Sequence, residues 1–309
     1  MDDAVILPGL IDPSIRVLPK PAKRASVAGF GEQCLTLMRS CMQHGTLHAQ
    51  VIAGAEQGGM AKDMAMLRQL AKISNHPVGV QRSWLGEEAA TPLDELRTSL
   101  QYLIRRKLVQ AIDISPRHTE SFLTAAGESG LPVNLHWSGD PDINVPSLMS
   151  RLRVRFIACP CPPGQEEIEM LKQSPVPVVF SPGPLTSEQP ADNSARRLVD
   201  GGAPLALSSG YHSRDAPTFN MQMTIALAVL RLGLTVEQAI TAATINAAHA
   251  LNLDKVVGSL EVGKRADLII FNLSDYRELP KRWGSNHVGM AIRDGKILFN
   301  RTGWKVSAA

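Results

Sequence analysis

Cysteines, long apolar runs and aromatic residues are all scarce in this sequence. Four cysteines in 309 residues are too few for a disulfide-stabilised scaffold, so reduced thiols are expected. Cys34 and Cys41 stand about 10.5 Å apart along one predicted helix, too far for a mutual disulfide. No stretch approaches the ~20 apolar residues of a membrane span, and the acidic start of the chain is unlike a secretory signal. These absences predict a cytosolic location with no membrane association.

The sequence also has no long run of residues that carry the same charge. The net charge is +3, and the basic residues are scattered apart from a short stretch at 104–107. This distribution predicts no nucleic-acid partner. Hydrophobic residues make up 44% of the chain, which favours a folded protein with a sizeable core over a disordered one.

Short β-rich segments alternate with segments of helical periodicity, which predicts parallel strands joined by helices. Eight strands are predicted, at 5–12, 47–53, 77–83, 109–115, 132–137, 154–159, 176–181 and 204–209. Eight such units predict an α/β fold of the closed (βα)8 TIM-barrel type. Ser115 before Pro116 is interpreted as a helix N-cap. Thr235 with Gln238 is interpreted as a capping box before a helix over 236–251.

The pattern changes after residue 251. Three short strands are predicted at 256–261, 266–271 and 288–298, with Asp294-Gly295 as a hairpin turn in the last. The sequence therefore predicts a barrel domain over 1–255 and a small, truncated β appendage over 256–309.

Several motifs resemble the amidohydrolase superfamily. The segment 7–13, Leu-Pro-Gly-Leu-Ile-Asp-Pro, resembles its first barrel strand, and 258–268, Gly-Ser-Leu-Glu-Val-Gly-Lys-Arg-Ala-Asp-Leu, resembles its return into a β-sandwich. Segments 242–248, 275–280 and 286–288 narrow the resemblance to imidazolonepropionase-like members. The resemblance implies a barrel whose mouth holds a catalytic metal ion.

The metal-ligand positions of the family can be compared one by one. Its first-strand His-x-His pair corresponds to Ser14-Ile15-Arg16, its sixth-strand histidine to Pro160, and its eighth-strand aspartate to Gly210. His136 matches the fifth-strand histidine. A catalytic metal normally needs about three protein ligands, so the sequence predicts no metal and no other cofactor.

Catalytic groups of such barrels project from the C-terminal ends of the strands. There, His136 and His212 are candidate acid/base residues, with Asp215 orienting His212. Arg16 and Arg214 are candidate clamps for a carboxylate or an oxyanion. The alternatives are a solvated polar loop at 212–215, a relic histidine, and an ion pair between Arg16 and Asp12 or another carboxylate at the rim.

Three further residues are candidate substrate contacts. Ser14 and Trp137 stand at the ends of their strands, although Trp137 could equally cap the barrel. Cys159, with Cys161 nearby, could pack in the core, act as a nucleophile or contribute to a thiolate metal site.

Two functions are open. One is a metal-independent enzyme that opens, closes or isomerises a small, polar, cyclic nitrogen-containing substrate by proton transfer. The alternative is a catalytically inactive subunit that binds or stabilises a partner, favoured by the loss of the family's substrate-contact residues at 50–55. The resemblance also implies that the N-terminal half of the family's β-sandwich would be missing before Met1. Exposed strand edges therefore predict a homodimer or a partner subunit that covers the appendage.

Overall fold

A computed structural model describes residues 4–18, 27–54, 59–75, 77–86, 91–115, 117–137, 144–159, 165–182, 193–214, 216, 218–301 and 303. In these ranges the chain forms a parallel barrel sheet, helices that follow its strands, and a small antiparallel sheet. The predicted α/β barrel with a β appendage is confirmed. No helix in the described part of the chain combines the length and apolar character that a bilayer span requires.

Nine consecutive segments form the barrel sheet in the order β10-β2-β3-β4-β5-β6-β7-β8-β9. They are β2 (Leu10–Arg16), β3 (Thr46–Ala53), β4 (Gly79–Leu85), β5 (Ala111–Ile114), β6 (Val133–His136), β7 (Val154–Cys159), β8 (Val178–Phe180), β9 (Leu205–Leu207) and β10 (Tyr211–His212). Only residues 208–210 separate β9 from β10. Because β9 pairs with β8 and β10 pairs with β2, they are the two halves of the eighth barrel strand, and together they close the barrel.

Helices follow the strands and bury their apolar faces against the sheet. They are α1 (Val27–Gln43), α2 (Gly59–Ile73), α3 (Leu93–Arg105), α4 (Glu120–Glu128), α5 (Val145–Arg151), α6 (Gln165–Lys172), α7 (Ser194–Asp200), α8 (Met221–Leu232), α9 (Val236–Ala242) and α10 (Ile245–Ala250). A 3-10 helix spans Tyr276–Arg282. Alternate strand residues face inward. Ile11, Phe156, Val179 and Ala206 form an inner cluster that α10 and Leu251 cover.

The appendage is a four-stranded antiparallel sheet in the order β1-β11-β12-β13. Its strands are β1 (Val5–Pro8), β11 (Leu268–Phe271), β12 (Val288–Arg293) and β13 (Lys296–Asn300). Asp294 and Gly295 have φ values of 53° and 72°, as a two-residue hairpin turn requires. The predicted turn is confirmed.

The predicted strand 5–12 is wrong, because the chain changes sheets at Gly9. Residues 5–8 pair with β11 in the appendage, whereas Leu10 begins the barrel. A Cβ at Gly9 would stand 2.5 Å from Leu47 Cδ1, so only glycine fits where the two sheets meet. The C-terminal strands thus have a partner strand from the same chain. The two edge strands of the appendage, β1 and β13, carry the exposed side chains of Ile6 and Ile297. A dimer or a partner subunit that covers these edges stays a prediction.

Other predicted boundaries also differ from the structure. Residues 256–261 form turns instead of a strand. The helix over 236–251 is two helices, interrupted between Ala242 and Ile245, although its capping box is confirmed.

The predicted N-cap at Ser115 is wrong as well. The helix begins one turn later, at Glu120, and Thr119 is its cap. The reason is a turn in which His118 N–H donates to the Ser115 carbonyl; Pro116 lies outside the described residues.

A buried histidine connects the start of β3 to the appendage. His48 Nε2 lies 2.6 Å from Asp267 Oδ2, and Asp267 Oδ1 accepts the Asp294 N–H at 2.6 Å. Burial lowers the pKa of His48. The charges of Arg265 and Arg293 lower it further, against the opposing effect of Asp267.

This lowered pKa predicts that acidification destabilises the protein. An unfolded histidine titrates near pH 6.5, whereas the folded state disfavours the imidazolium form of His48. The stabilisation is therefore complete above about pH 6.5 and is lost as the pH falls below that value. Urea unfolding between about pH 7.5 and about pH 5.5 should show this decline, and His48→Asn should make it shallower. Equal pH dependences in the two proteins would contradict the prediction.

Candidate active site

A buried carboxylate, that of Asp12 on β2, lies where the eighth barrel strand meets the first. Asp12 Oδ1 accepts hydrogen bonds from Ser208 Oγ–H (2.6 Å) and Ser209 N–H (3.2 Å), and Oδ2 accepts one from Ser209 Oγ–H (2.5 Å). Burial raises the pKa of Asp12, and the hydrogen bonds from the two serines oppose that rise. Asp12 therefore holds the break between β9 and β10 against β2. No ion pair joins it to Arg16 among the described residues, so the predicted pairing of Arg16 with Asp12 has no support.

One wall of the barrel mouth carries Arg16 and His212. Ile15 and Val17 are buried in the layer between sheet and helices, so Arg16 points to the opposite, inner face. His212 is its register partner on β10, and the two side chains share that face. The buried Nε of Arg16 has no hydrogen-bond partner within the described ranges.

The other candidates near this wall are less well placed. Ser14 is partly buried, and its carbonyl accepts the Ser208 Oγ–H at 3.0 Å, so its backbone supports the same closure. Arg214 is exposed in the turn that follows β10. Asp215 lies outside the described residues, and its proposed role beside His212 stays a prediction.

The opposite wall carries His136, at the end of β6, four strands from β2. Its Nε2 lies 2.6 Å from Asp113 Oδ1 on the neighbouring strand. The Asp113 side chain is fully buried, whereas that of His136 is 29% exposed. A carboxylate can only accept a hydrogen bond, so Nε2 carries the proton and Nδ1 can accept one. This histidine–aspartate pair is the arrangement of a general base with its orienting group.

A buried polar network continues from this pair into the barrel. Asn134 Nδ2 donates to Asp113 Oδ1 (3.2 Å), and Asn134 Oδ1 accepts from Arg155 Nε (3.0 Å). Arg155 also donates to Gln81 Oε1 (2.8 Å) and to Gln50 Oε1.

Arg155 enters the barrel because of a β-bulge. The β6–β7 pairing shifts there, with Val133 opposite Val154 but Asn134 opposite Phe156. The residue between these pairs is Arg155, and a bulge of this kind re-aims a side chain.

Trp137 and Cys159 occupy a different layer. Both side chains are almost fully buried and pack in the cluster between the sheet and the helices. Neither is exposed to a substrate at the mouth, so we do not include them in the proposed site. Cys161 lies outside the described residues.

The donor atoms at the family's metal positions do not fit a divalent ion. Ser14 offers a weak hydroxyl ligand, Arg16 a cation that would repel the ion, and Gly210 no side chain; Pro160 lies outside the described residues. The Nε2 of His136 is engaged by Asp113. Within the described ranges, no group of three or more His, Cys, Asp or Glu side chains is placed to hold a metal.

Asp113, Asn134 and Arg155 take part in the site but were not predicted from the sequence. Asn134 and His136 alternate on one short strand and therefore face the same side, and Asp113 interrupts an apolar strand. Those patterns could have indicated inward-facing polar groups. Arg155 could not have been found in this way, because only the bulge turns it inward.

Comparisons with known proteins agree with this fold. The model of the amidohydrolase family matches residues 151–298. The imidazolonepropionase of Geobacillus kaustophilus is 28% identical over 93% of this chain and 72% of its own length. That of Flavobacterium johnsoniae is 30% identical over 76% of this chain and 62% of its own.

Solved structures give the same class of fold. Guanine deaminase from C. acetobutylicum has a TM-score of 0.73 at 16% identity, covering 96% of this chain and 87% of its own. The E. coli guanine deaminase has a TM-score of 0.70 at 15% identity, with 97% and 84% covered. At this identity the likeness concerns the fold alone.

By sequence the chain is similar to the amidohydrolase superfamily. Within that superfamily its sequence is imidazolonepropionase-like.

Proposed function

We propose that this protein is an enzyme that acts without a catalytic metal ion on a small, polar, cyclic nitrogen-containing molecule. The observation that carries the proposal is the His136–Asp113 pair, in which a partly exposed imidazole is oriented by a buried carboxylate at 2.6 Å. The reaction class that best suits this pair within a hydrolase family is hydrolytic opening of a ring amide.

His136 serves as the base and then as the acid of this reaction. Nδ1 takes a proton from water while the water oxygen bonds to the ring carbonyl carbon. The resulting imidazolium is stabilised by Asp113, with which it shares the Nε2–H. The same proton then passes from Nδ1 to the ring nitrogen as the carbon–nitrogen bond breaks.

Arg16 supplies positive charge on the facing wall. A fixed guanidinium there can stabilise an oxyanion or hold a substrate carboxylate. Its buried Nε without a partner and the adjacent His212 support this assignment.

The test is turnover together with metal content. The similarity to imidazolonepropionases makes imidazolonepropionate the first compound to assay, followed by other small cyclic amides and imides. We expect turnover that survives dialysis against a chelator, in protein that contains far less than one metal ion per chain.

Two results would contradict the proposal. Turnover that is lost on chelation and restored by zinc would indicate a metal enzyme. Binding of these compounds without turnover, or stable association with an active relative, would favour the role of a non-catalytic subunit.

A further inference from the structure

Arg155 determines which atoms donate and which accept in the hydrogen-bond network inside the barrel. A guanidinium has five N–H donors and no acceptor, so each polar partner must present an oxygen to it. Arg155 is 7% exposed, and three amide side chains surround it: Asn134, Gln50 and Gln81.

Each of these amides must then turn its NH2 group away from Arg155. Asn134 Nδ2 donates to Asp113 Oδ1 at 3.2 Å and to Gln50 Oε1 at 3.1 Å. Gln81 Nε2 donates to the Leu251 carbonyl at 3.0 Å. An amide in the flipped orientation would place NH2 against the guanidinium, so the orientation follows from the donor-only character of Arg155.

The same sequence of donors and acceptors extends to the barrel mouth. Asp113 receives an N–H from Asn134, and it is fully buried. A buried polar group needs hydrogen-bond partners, and Arg155 orients one of them, the Asn134 amide, towards Asp113. Burial lowers the pKa of Arg155 to about 10, which leaves it cationic at neutral pH. Asp113 Oδ1 in turn accepts the Nε2–H of His136 at 2.6 Å.

We propose that Arg155, remote from the mouth, is a positioning residue that fixes the tautomer of His136 as Nε2–H and so leaves Nδ1 as the proton acceptor. Three links carry this effect: Arg155 orients Asn134, Asn134 donates to Asp113, and Asp113 accepts from His136. The role of Arg155 in catalysis depends on the proposed role of His136 as the base. The tautomer, however, can be measured in the absence of any turnover.

Removing the guanidinium has a defined chemical consequence. In Arg155→Gln the new side chain can accept as well as donate, so the orientation of Asn134 is no longer imposed. When Asn134 turns its carbonyl oxygen towards Asp113, the carboxylate loses the N–H that Asn134 donates. The Nε2–H tautomer of His136 is then no longer imposed, and the Nδ1–H tautomer becomes populated.

The experiment is 15N NMR of the full-length protein labelled at histidine, with the His136 signals assigned by their loss in His136→Gln. In the unmodified protein at neutral pH we expect a pyrrole-type shift for Nε2 and a pyridine-type shift for Nδ1. Arg155→Lys, which keeps the charge and only donates, should retain this pattern. Arg155→Gln should move the two shifts towards each other or exchange them.

Arg153→Gln is the matched control, because Arg153 is exposed and lies two residues away along the same segment; its pattern should equal that of the unmodified protein. A Nδ1–H tautomer in the unmodified protein would overturn the inference without any variant, even if Arg155→Gln does not fold. An unchanged tautomer in folded Arg155→Gln would overturn it as well. Absence of turnover alongside the expected shifts would reject the proposed function and leave this inference standing.

Discussion

Replacing His136 with alanine is expected to lower turnover about 10²- to 10⁴-fold, the usual contribution of a positioned acid/base group. The variant should fold, because the His136 side chain is partly exposed and Asp113 keeps its hydrogen bond from Asn134. Steady-state kinetics would show the loss in kcat. His249→Ala is the matched control, since His249 lies on α10, which covers the opposite end of the barrel, and it should retain full turnover.

The variant Asp113→Asn is a second test of the acid/base role of His136. The new amide can donate to His136 Nε2 and thereby favour the Nδ1–H tautomer, which cannot accept the proton from water. A loss comparable to that of His136→Ala is expected, with circular dichroism to verify the fold. Unchanged turnover in both variants would end the acid/base assignment.

Asp12→Ala is expected to destabilise the fold by about 3–5 kcal/mol, because it leaves two buried donors without an acceptor. These donors are the Ser209 hydroxyl and the Ser209 N–H, whereas the Ser208 hydroxyl keeps the Ser14 carbonyl as its acceptor. They lie at the one break in the eighth barrel strand, so the closure between β10 and β2 weakens at the same time. The free energy of unfolding in urea measures the effect.

Two variants serve as controls for this prediction. Asp12→Asn keeps one carbonyl acceptor and should cost roughly 1–2 kcal/mol. Ser14→Ala, on the same strand, should remain within about 0.5 kcal/mol, because Ser14 takes part in this closure through its backbone N–H and carbonyl. An Asp12→Ala loss as small as that of Ser14→Ala would show that the carboxylate does not hold the closure.

The barrel could be predicted from the sequence because local patterns repeat along it. Each β-rich segment is short, apolar and followed by a helix, and parallel strands with helical connections have few ways to pack. The capping box at Thr235 and the hairpin at Asp294-Gly295 are also local, since each depends on residues within one turn. Gly9 is different, because its requirement comes from Leu47 on another strand. That contact divides a segment that looks like a single strand.

The candidate site was only partly predictable for the same reason. The sequence by itself determined that His136 and Arg16 stand at strand ends, and that serine, arginine and glycine occupy positions where the family has metal ligands. Only the tertiary structure decided which groups meet: His136 with Asp113, Arg16 with His212, and Asp12 with the two serines at the closure. It also turned Arg155 inward and placed Trp137 and Cys159 among the helices. Strand order follows from local pattern, whereas side-chain partners across a closed barrel depend on register, bulges and the stagger of distant strands.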